Sequence, residues 1–580
     1  MIRIHDTTRT IPYYQPEPLT DLPLIYQREH LFPYTSYGDT ATMSVPRAFR
    51  MVVLENDTLR VEVAPELGGR VYGLFDKRIG KEILFSNPVV KPVRILPIWG
   101  FISGGIEFNF PIAHSPTSIA EVGCRTGQTG DYGFIRVGER EARTGMEWVV
   151  ELGLMADQPV LIQRSAFRNR TGADHPWMSW TICAVRSTEG TEFVHPPHRV
   201  LVHDDRVVEA DWPGDGLQWD RNAQQMTALF WKPGSAPQFG AFHHDLGFGL
   251  MHLADPAQLP GKKVWTYGYG KHRHWGLGST EGDLCYCEIE SGPLLDQGEK
   301  PLFPQNTERR VEEYWVPVHS REACDKVPWP QLNLPPISDA WMGWEHSPWQ
   351  SEWEKFRADE GPLPSSLVPT GINLESALCR ELQRGNTNAA EALALWLTFH
   401  GRPEEALALA DNPTRCLSRR CDQTGQKFIA EGELAPQPVA LADSPTAHRL
   451  AGLILWKALH QPMDAIPRLE AGPLHDPIAV VELDELYAEL GFTAKRVALL
   501  ARAPHHRLVV ERKAALALTT GDPAETIRLL TDTAWPREHQ RYVRTELWKK
   551  AMSASGQTDP EVPAFLNEDN LARFGAYWSD

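Results

Sequence analysis

The chain has 580 residues, of which 42% are hydrophobic and 23% are charged, and its formal net charge at pH 7 is -17. A chain of this length exceeds what one hydrophobic core supports, so we expect two or more domains. Duplex nucleic acid and anionic membranes bind basic patches, so the acidic balance argues against both as partners. The first residues lack the apolar core of a signal peptide and no apolar run reaches membrane-spanning length, which predicts a cytoplasmic protein. The eight cysteines are scattered along the chain, and we expect them to be reduced thiols in the cytoplasm.

The first half of the chain carries a β pattern. Residues 1–45 are rich in proline and tyrosine and predict an extended N-terminal arm that wraps a sheet or serves an oligomer contact. The segment Met51–Val63 has the pattern of a hairpin, and short strand-like segments with turn residues between them recur to about Pro317. We therefore predict that residues 46–320 form a large antiparallel β super-sandwich.

The second half carries a helical pattern. Residues 321–370 are rich in proline and tryptophan and predict a linker that packs on the sandwich. Helix–turn–helix patterns then occupy Asn388–Ala410, Ala479–Ala501 and Arg512–Leu530. Their recurrence favours a stack of α-hairpins of the tetratricopeptide type over residues 371–580, with a plain helical bundle as the alternative.

The stretch Trp99–Pro116 contains the first candidate site. Its apolar residues alternate with Glu107 and Asn109, so a strand would place this carboxylate and amide together on one face. Two glycines precede the strand and His114 lies in the turn that follows it. Polar groups on a rigid strand beside glycines suit a hydroxyl-rich ligand, whereas a plain solvated sheet face is the alternative.

A second candidate strand is Cys285–Glu290, in which Tyr286, Glu288 and Glu290 share one face. If one of these carboxyls faces Glu107, the pair supplies the two acidic groups that cleavage of a glycosidic bond uses. The alternative is a pair of solvated glutamates.

A third segment, Gly249–Gly270, contains His252 at the end of a strand and Trp265 and Tyr267 on one face of the next. His252 has the chemistry of a general acid near neutral pH, with a structural histidine as the alternative. The other histidine-rich segments lack zinc-ligand spacing, and the glycines near residue 268 lack the context of a dinucleotide site. We therefore expect neither a metal nor a cofactor.

Four segments carry a resemblance to a known family: Pro65–Val71, Ile102–Pro111 with His114, Pro260–Gly268 and Tyr286–Gly292. They resemble a bacterial domain family of unknown function that is fused to tetratricopeptide-type repeats and is similar to the galactose mutarotase-like super-sandwich. The resemblance implies a concave sugar-binding face on which Glu288 acts as base and a histidine, His252 or His195, assists. Mutarotases have no carboxylate where Glu107 stands, and this departure favours a glycosidase.

Three functions are consistent with these patterns. The first is a glycoside hydrolase in which Glu107 and Glu288 are catalytic and His252 assists. The sugar-binding residues would be Arg70, Trp99, Asn109, His114, His195, Trp265, Tyr267 and Glu290. The second is an aldose 1-epimerase with Glu288 as base and a histidine as acid. The third is a non-catalytic sugar sensor whose repeats bind a protein partner. The expected partners are a sugar or oligosaccharide and a second copy of the chain, bound through the repeats or the N-terminal arm.

Overall fold

The computed structural model forms two compact units, one made of Met1–Glu17, Asp39–Pro348 and Leu571–Asp580 and one of Pro18–Gly38 and Trp349–Asn570. The residues that the structure describes are 1–18, 22, 25–26, 34, 37–41, 43–95, 100–112, 114–203, 207–269, 278–281, 284–332, 334–337, 341, 353, 355–364, 374–384, 386, 388–411, 444–536, 538–539 and 542–568.

The strands are, in chain order, β1 (Arg3–Tyr13), β2 (Pro16–Pro18), β3 (Tyr37–Thr40), β4 (Val45–Glu55), β5 (Leu59–Ala64), β6 (Arg70–Asp76), β7 (Lys81–Glu82), β8 (Arg94–Ile95), β9 (Ile106–Asn109), β10 (Gly123–Thr129), β11 (Tyr132–Arg140), β12 (Glu147–Met155), β13 (Leu161–Asn169), β14 (His175–Pro176), β15 (Trp180–Arg186), β16 (Thr191–Val194), β17 (His198–His203), β18 (Val207–Trp212), β19 (Thr227–Trp231), β20 (Gln238–His243), β21 (Phe248–Ala254), β22 (Gly261–Thr266), β23 (Tyr286–Gly292), β24 (Leu302–Phe303), β25 (Thr307–Val318) and β26 (Glu538–His539).

Two large antiparallel sheets make up most of the first unit. Within the described residues, the first sheet has the strand order β1-β4-β5-β6-β9-β15-β23-β22-β19-β17-β18, with β7 paired to β6. The second sheet has the order β10-β11-β12-β13-β25-β21-β20-β16. The large antiparallel β fold predicted from the spacing of the strand patterns is therefore confirmed.

The two sheets pack face to face through one apolar core. Ile106, Cys287 and Ile289 of the first sheet and Trp148 and Trp315 of the second belong to the same buried cluster. Side chains alternate along a strand, so the inward direction of the apolar residues on β9 and β23 turns their glutamates to the opposite, outer face of the first sheet. This alternation positions the candidate site.

Part of the segment predicted as an extended N-terminal arm forms a regular strand. Residues Arg3–Tyr13 form β1, which pairs along its whole length with β4 at the edge of the first sheet. Pro18–Gly38 belongs to the second unit. The regular exchange of backbone hydrogen bonds with β4 explains why a proline- and tyrosine-rich segment becomes a strand. The hairpin predicted over Met51–Val63 is present as β4 and β5.

The helices are, in chain order, α1 (Arg321–Cys324) in the first unit and α2 (Glu375–Gln383), α3 (Asn388–Phe399), α4 (Pro403–Asp411), α5 (Pro445–Leu453), α6 (Pro462–Glu470), α7 (Pro477–Glu489), α8 (Thr493–Arg502), α9 (Arg507–Thr519), α10 (Pro523–Thr531) and α11 (Val543–Ala554) in the second. A π-helical turn over Ile454–Ala458 continues α5. Within the described residues, no helix combines the length and apolar character that a membrane span needs.

The predicted α-hairpins are confirmed. Helices α3 and α4, α7 and α8, and α9 and α10 follow one another across turns in which Gly401, Gly491 and Gly521 have positive φ angles of 69°, 73° and 85°. Glycine tolerates this left-handed conformation, which ends a helix and reverses the chain. A separate apolar core fills the second unit and contains Leu393 and Leu483.

Candidate functional site

A glycine pair fixes the start of β9 and therefore the direction of Glu107. Gly104 and Gly105 have φ angles of 101° and 71°, and a Cβ atom on Gly105 would lie 2.0 Å from the carbonyl oxygen of Val71 on the neighbouring strand β6. Only glycine fits such a close approach of two backbones. β9 therefore pairs closely with β6 and β15, and Glu107 projects from the outer face.

Two side chains, those of Arg70 and His114, hold Glu107. Arg70 Nη2 donates to Glu107 Oε2 at 3.1 Å, and His114 Nδ1 lies 3.1 Å from Glu107 Oε1. A second nitrogen of Arg70 donates to the carbonyl of Gly104, which anchors the guanidinium. Burial acts to raise the pKa of Glu107, but His114 and Arg70 outweigh it and leave that pKa below its usual value. Glu107 is therefore an ionised carboxylate at neutral pH.

His114 presents its second ring nitrogen away from Glu107. The residue has a φ of 55°, which places it in the left-handed region after the Phe110-Pro111 bond, and its ring contacts Phe101 with centroids 4.6 Å apart. Its side chain remains 19% exposed. Within the part of the chain that the structure describes, Nε2 of His114 has no hydrogen-bond partner.

A second ion pair lies on the same face. The strand registers align Glu107, Ile182, Glu290 and Lys263 in one row across β9, β15, β23 and β22. Lys263 Nζ lies 2.6 Å from Glu290 Oε1 and donates to Gln297 Oε1 at 2.8 Å. Gln297 Nε2 donates to Glu290 Oε2 at 2.8 Å, which closes a triangle of buried side chains. We call these three residues the Lys263 triangle.

Glu288 differs from the other two glutamates of this face. It is 6% exposed, and within the described residues no hydrogen bond reaches its carboxyl group. Burial raises the pKa of Glu288 well above its usual value, and the negative charges of Glu290 and Glu107 raise it further against the opposing effect of Lys263. Burial and the neighbouring carboxylates therefore favour the protonated form of Glu288.

The registers give the spacing of the two carboxyl groups. Glu107 and Glu290 lie in one row two strands apart, and Glu288 lies two residues along β23 from that row. Strand spacings of about 4.8 Å and residue rises of about 3.4 Å put the Cα atoms of Glu107 and Glu288 ~12 Å apart. The two side chains stand on the same face of one sheet, as the sequence predicts.

Aromatic rings border the row of Glu107, Ile182, Glu290 and Lys263 on both sides, which we call the Trp180 end and the Trp265 end of the site. Toward one end, Trp180 pairs with Asn109 and its indole lies over Gly292 and Gly261, where a Cβ atom would come within 2.7 Å of the ring. Toward the other end, Trp265 pairs with Glu288 and receives the Lys263 ammonium 4.9 Å from its ring centroid. Indole faces beside polar groups are the arrangement that suits sugar rings.

Buried nitrogen donors occupy the Trp180 end. Asn109 Oδ1 accepts from the Ser115 backbone N–H at 3.0 Å. The Nδ2 atom of Asn109, Nε1 of Trp180 and Nε of Arg70 are buried without a hydrogen-bond partner within the described residues. Buried nitrogen donors without acceptors are costly in a folded protein.

Tyrosine hydroxyls occupy the Trp265 end. Tyr267 and Tyr286 have their hydroxyl oxygens 2.9 Å apart, and Ser103 Oγ donates to the Tyr286 hydroxyl at 2.8 Å. Tyr286 shares the outer face with Glu288, two residues away on β23. This end of the row is therefore filled by a hydrogen-bonded hydroxyl network.

The structure brings most of the predicted site residues to this outer face: Arg70, Glu107, Asn109, His114, Trp265, Tyr267, Glu288 and Glu290. Trp99 lies outside the described residues. Two predicted histidines lie elsewhere.

His252 does not reach the outer face. It lies on β21 of the second sheet with 0% exposure, and its Nε2 atom is 2.7 Å from Glu313 Oε2. The same glutamate accepts from Gln163 Nε2 at 2.5 Å and from Thr181 Oγ1 at 2.9 Å, which places the group between the two sheets. Burial lowers the pKa of His252. The prediction that His252 is a catalytic acid on the sugar-binding face is therefore corrected, because its strand belongs to the other sheet.

His195 also lies away from the row. Its Nδ1 atom is 2.6 Å from the Pro196 carbonyl oxygen, and its Nε2 atom accepts from the Ala236 backbone N–H at 3.2 Å. Its ring packs against the core residue Trp231 with centroids 5.0 Å apart, and burial lowers its pKa to about 4. Both ring nitrogens already have backbone partners, so the predicted sugar contact is corrected.

Three residues of this face were absent from the sequence prediction: Lys263, Trp180 and Gln297. Lys263 precedes Trp265 by two residues, so alternation along β22 places both on one face and would have revealed it. Trp180 belongs to none of the motifs that the sequence analysis singled out. Gln297 follows β23 in an irregular segment and had no sequence signal.

No group of three or more histidine, cysteine, aspartate or glutamate side chains within the described residues is arranged to hold a metal ion.

Comparison with solved structures gives one match over almost the whole chain. A TPR-domain containing protein from Parabacteroides distasonis is 29% identical, covers 99% of each chain and has a TM-score of 0.86. A putative aldose 1-epimerase from Escherichia coli is 10% identical and covers 46% of this chain and 99% of its own, with a TM-score of 0.35. A galactose mutarotase-like protein from Clostridium acetobutylicum is 9% identical and covers 47% and 96%, with a TM-score of 0.36.

Comparison with family models agrees with the division into a β part and a helical part. One model, described only as a C-terminal domain, matches residues 445–551. Another spans half of the chain, residues 27–318, and contains every residue of the row described above. The chain therefore belongs to the family described as Domain of unknown function (DUF5107).

Proposed function

We propose that the chain is a carbohydrate-active enzyme that works at an anomeric centre, and that its reaction is hydrolysis of a glycosidic bond. One observation carries this proposal: Glu107 and Glu288 share a face, and their surroundings shift their pKa values in opposite directions. When the pKa values of two carboxyl groups are shifted apart, one group can act as an ionised carboxylate and the other as a proton donor. Glycosidic bond cleavage uses one of each.

The roles follow from the protonation states. Glu288 donates its proton to the departing glycosidic oxygen while that bond breaks, and the ionised Glu107 accepts a proton from the water that attacks the anomeric carbon. Arg70 and His114 fix Glu107 in place. The Cα separation of ~12 Å favours the wider carboxyl spacing of about 6.5–9.5 Å, in which a water enters between carboxylate and sugar. We therefore expect inversion at the anomeric carbon.

The first test replaces the proposed proton donor. Glu288→Gln keeps the shape of the side chain but removes its proton, so we expect kcat on aryl glycosides to fall by about 10²–10⁴-fold. The loss should be smaller for a dinitrophenyl glycoside than for a methyl glycoside, because an acidic phenol departs without protonation. Initial rates across a panel of leaving groups measure this dependence.

A matched control is Glu209→Gln, which makes the same substitution at an exposed position on β18 of the same sheet. It should leave the rates unchanged. Equal rates for wild type and Glu288→Gln would contradict the catalytic role. Sugar binding without turnover of any substrate would instead favour the sugar sensor.

A second function is favoured by a separate observation. Both oxygens of Glu107 already have partners, whereas Nε2 of His114 and the carboxyl of Glu288 have none within the described residues. One imidazole and one carboxyl suffice to open and close a sugar ring, with a proton moved at the ring oxygen and another at the anomeric hydroxyl. This would make the chain an aldose 1-epimerase.

Product analysis separates the two reactions. Hydrolysis releases aglycone from an aryl glycoside, whereas epimerisation speeds interconversion of the anomers of a free aldose without release. If the second reaction is found, His114→Asn and Glu288→Gln should each abolish it. One of the two groups must donate a proton to the ring oxygen while the other accepts the proton of the anomeric hydroxyl. Full anomerase activity in His114→Asn would exclude that mechanism.

A further inference from the structure

The outer face carries charges that are already paired. Arg70 is paired with Glu107, and Lys263 is paired with Glu290 within the Lys263 triangle. The triangle leaves neither of its charges without a partner, because Gln297 bridges the ammonium and the carboxylate. Within the described residues, this face offers no unpaired cation to a ligand.

An anionic substituent would therefore meet an unfavourable surface. A carboxylate or phosphate on the sugar would have to break one of the two ion pairs, each of which is nearly or fully buried. Breaking a buried ion pair leaves the displaced carboxylate without a partner, which is costly. The formal net charge of -17 adds a long-range repulsion to the same effect.

The donors at the Trp180 end fit a neutral ligand. The unpartnered nitrogens of Asn109 and Trp180 are uncharged and need an acceptor oxygen, which a hydroxyl group provides. The ring faces of Trp180 and Trp265 favour the C–H face of an unsubstituted sugar.

We propose that this face selects neutral sugars over uronic acids and sugar phosphates, and that Glu290 determines the selection by keeping Lys263 occupied. The inference rests on the proposed carbohydrate function and names its substrate class. Glu290 is a specificity residue in this account, since it acts on the ligand through Lys263.

The test compares matched neutral and acidic sugars on the full chain. Ligand-observed NMR titrations give dissociation constants for glucose and glucuronate, galactose and galacturonate, and mannose and mannuronate. The wild type should bind the neutral member of at least one pair more tightly by at least about tenfold, since one unpaired buried charge has an effect of that size. Glu290→Gln frees the Lys263 ammonium and should reduce that ratio by at least about tenfold.

The double variant K263M/E290Q removes both charges and should return the preference to that of the wild type. If Glu290→Gln does not fold, Gln297→Lys adds a cation to the same triangle and should shift the ratio in the same direction. Circular dichroism confirms folding of each variant.

Equal affinity of the wild type for both members of a pair would overturn the inference, and so would an unchanged ratio in both Glu290→Gln and Gln297→Lys. Absence of binding to every sugar would overturn the inference and the carbohydrate function together. Full turnover by Glu288→Gln would contradict the enzymatic proposal without affecting this inference, because the titrations measure binding and not catalysis.

Discussion

Buried ionisable side chains form two clusters, one on each side of the first sheet. On the outer face, Glu107 and Glu290 are ion-paired while Glu288 has no hydrogen-bond partner within the described residues. Between the sheets, Glu313 is contacted by His252, Gln163 and Thr181. The inner cluster is closed around one carboxylate, whereas the outer cluster leaves the carboxyl group of Glu288 without a hydrogen-bond partner within the described residues and with a raised pKa.

The difference teaches which buried charges to regard as functional. A buried carboxylate with three hydrogen-bond partners is stabilised in one state and has little left to exchange with a ligand. A buried carboxyl without partners costs stability and is retained where its proton has a use. We therefore expect variants of the inner cluster to lower stability and variants of the outer cluster to lower activity, and the following variants test this expectation.

The largest expected effect is at the inner cluster. Glu313→Ala removes the carboxylate that His252, Gln163 and Thr181 contact, and we expect a loss of about 3–5 kcal/mol in the free energy of unfolding. Urea unfolding followed by fluorescence measures this loss. Activity per folded molecule should be preserved, because the cluster does not face the ligand.

Glu209→Ala is the control for Glu313→Ala, since it breaks an exposed ion pair with Arg199 and should leave the free energy of unfolding almost unchanged. A selective loss of activity in a stable Glu313→Ala protein would break the comparison between the two clusters.

The next effect depends on pH and concerns Lys262, which points between the sheets. Its Nζ atom is buried without a hydrogen-bond partner within the described residues. Burial lowers its pKa from 10.5 to about 8, against the opposing effect of Glu313. Between these two values the unfolded chain binds more protons than the folded chain, so the lysine makes stability rise with pH over that range.

Lys262→Met removes this cost. We expect the variant to be more stable than the wild type at pH 7, by up to ~3 kcal/mol for a shift of this size. The advantage should shrink as the pH rises from 8 to 10.5. Unfolding free energies of both proteins over this range provide the measurement, and a difference that does not vary with pH would contradict the assignment.

The smallest expected effect is at the outer face. A Cβ atom on Gly292 would lie 2.7 Å from the Trp180 ring and 2.8 Å from the Ser179 carbonyl oxygen, so Gly292→Ala should cost about 1–3 kcal/mol by overpacking. Because Trp180 lies beside the proposed ligand, sugar affinity should fall as well. Gly214→Ala controls for the general effect of a glycine-to-alanine change, because Gly214, like Gly292, has no positive φ and its new Cβ would meet only Asp211 Cβ at 3.5 Å.

The sequence determined much of the architecture, because its signals are local. Alternation along β9 and β23 placed Glu107 and Glu288 on the face opposite the core, and the glycines that end the helices marked the α-hairpins of the second unit. The spacing of apolar residues and the glycines at helix ends can each be recognised within a few consecutive residues. These features could therefore be predicted without knowing which distant segments pack against them.

Only the tertiary structure decided which residues became neighbours. Strand order brought Lys263 to Glu290 and put His252 on the other sheet, although His252 and Lys263 are close in sequence. The pKa directions of Glu107 and Glu288 depend on burial and on charges from other strands. Pairing across a sheet joins segments far apart in the chain, and the side-chain alternation within each strand carries no information about which strand lies beside it.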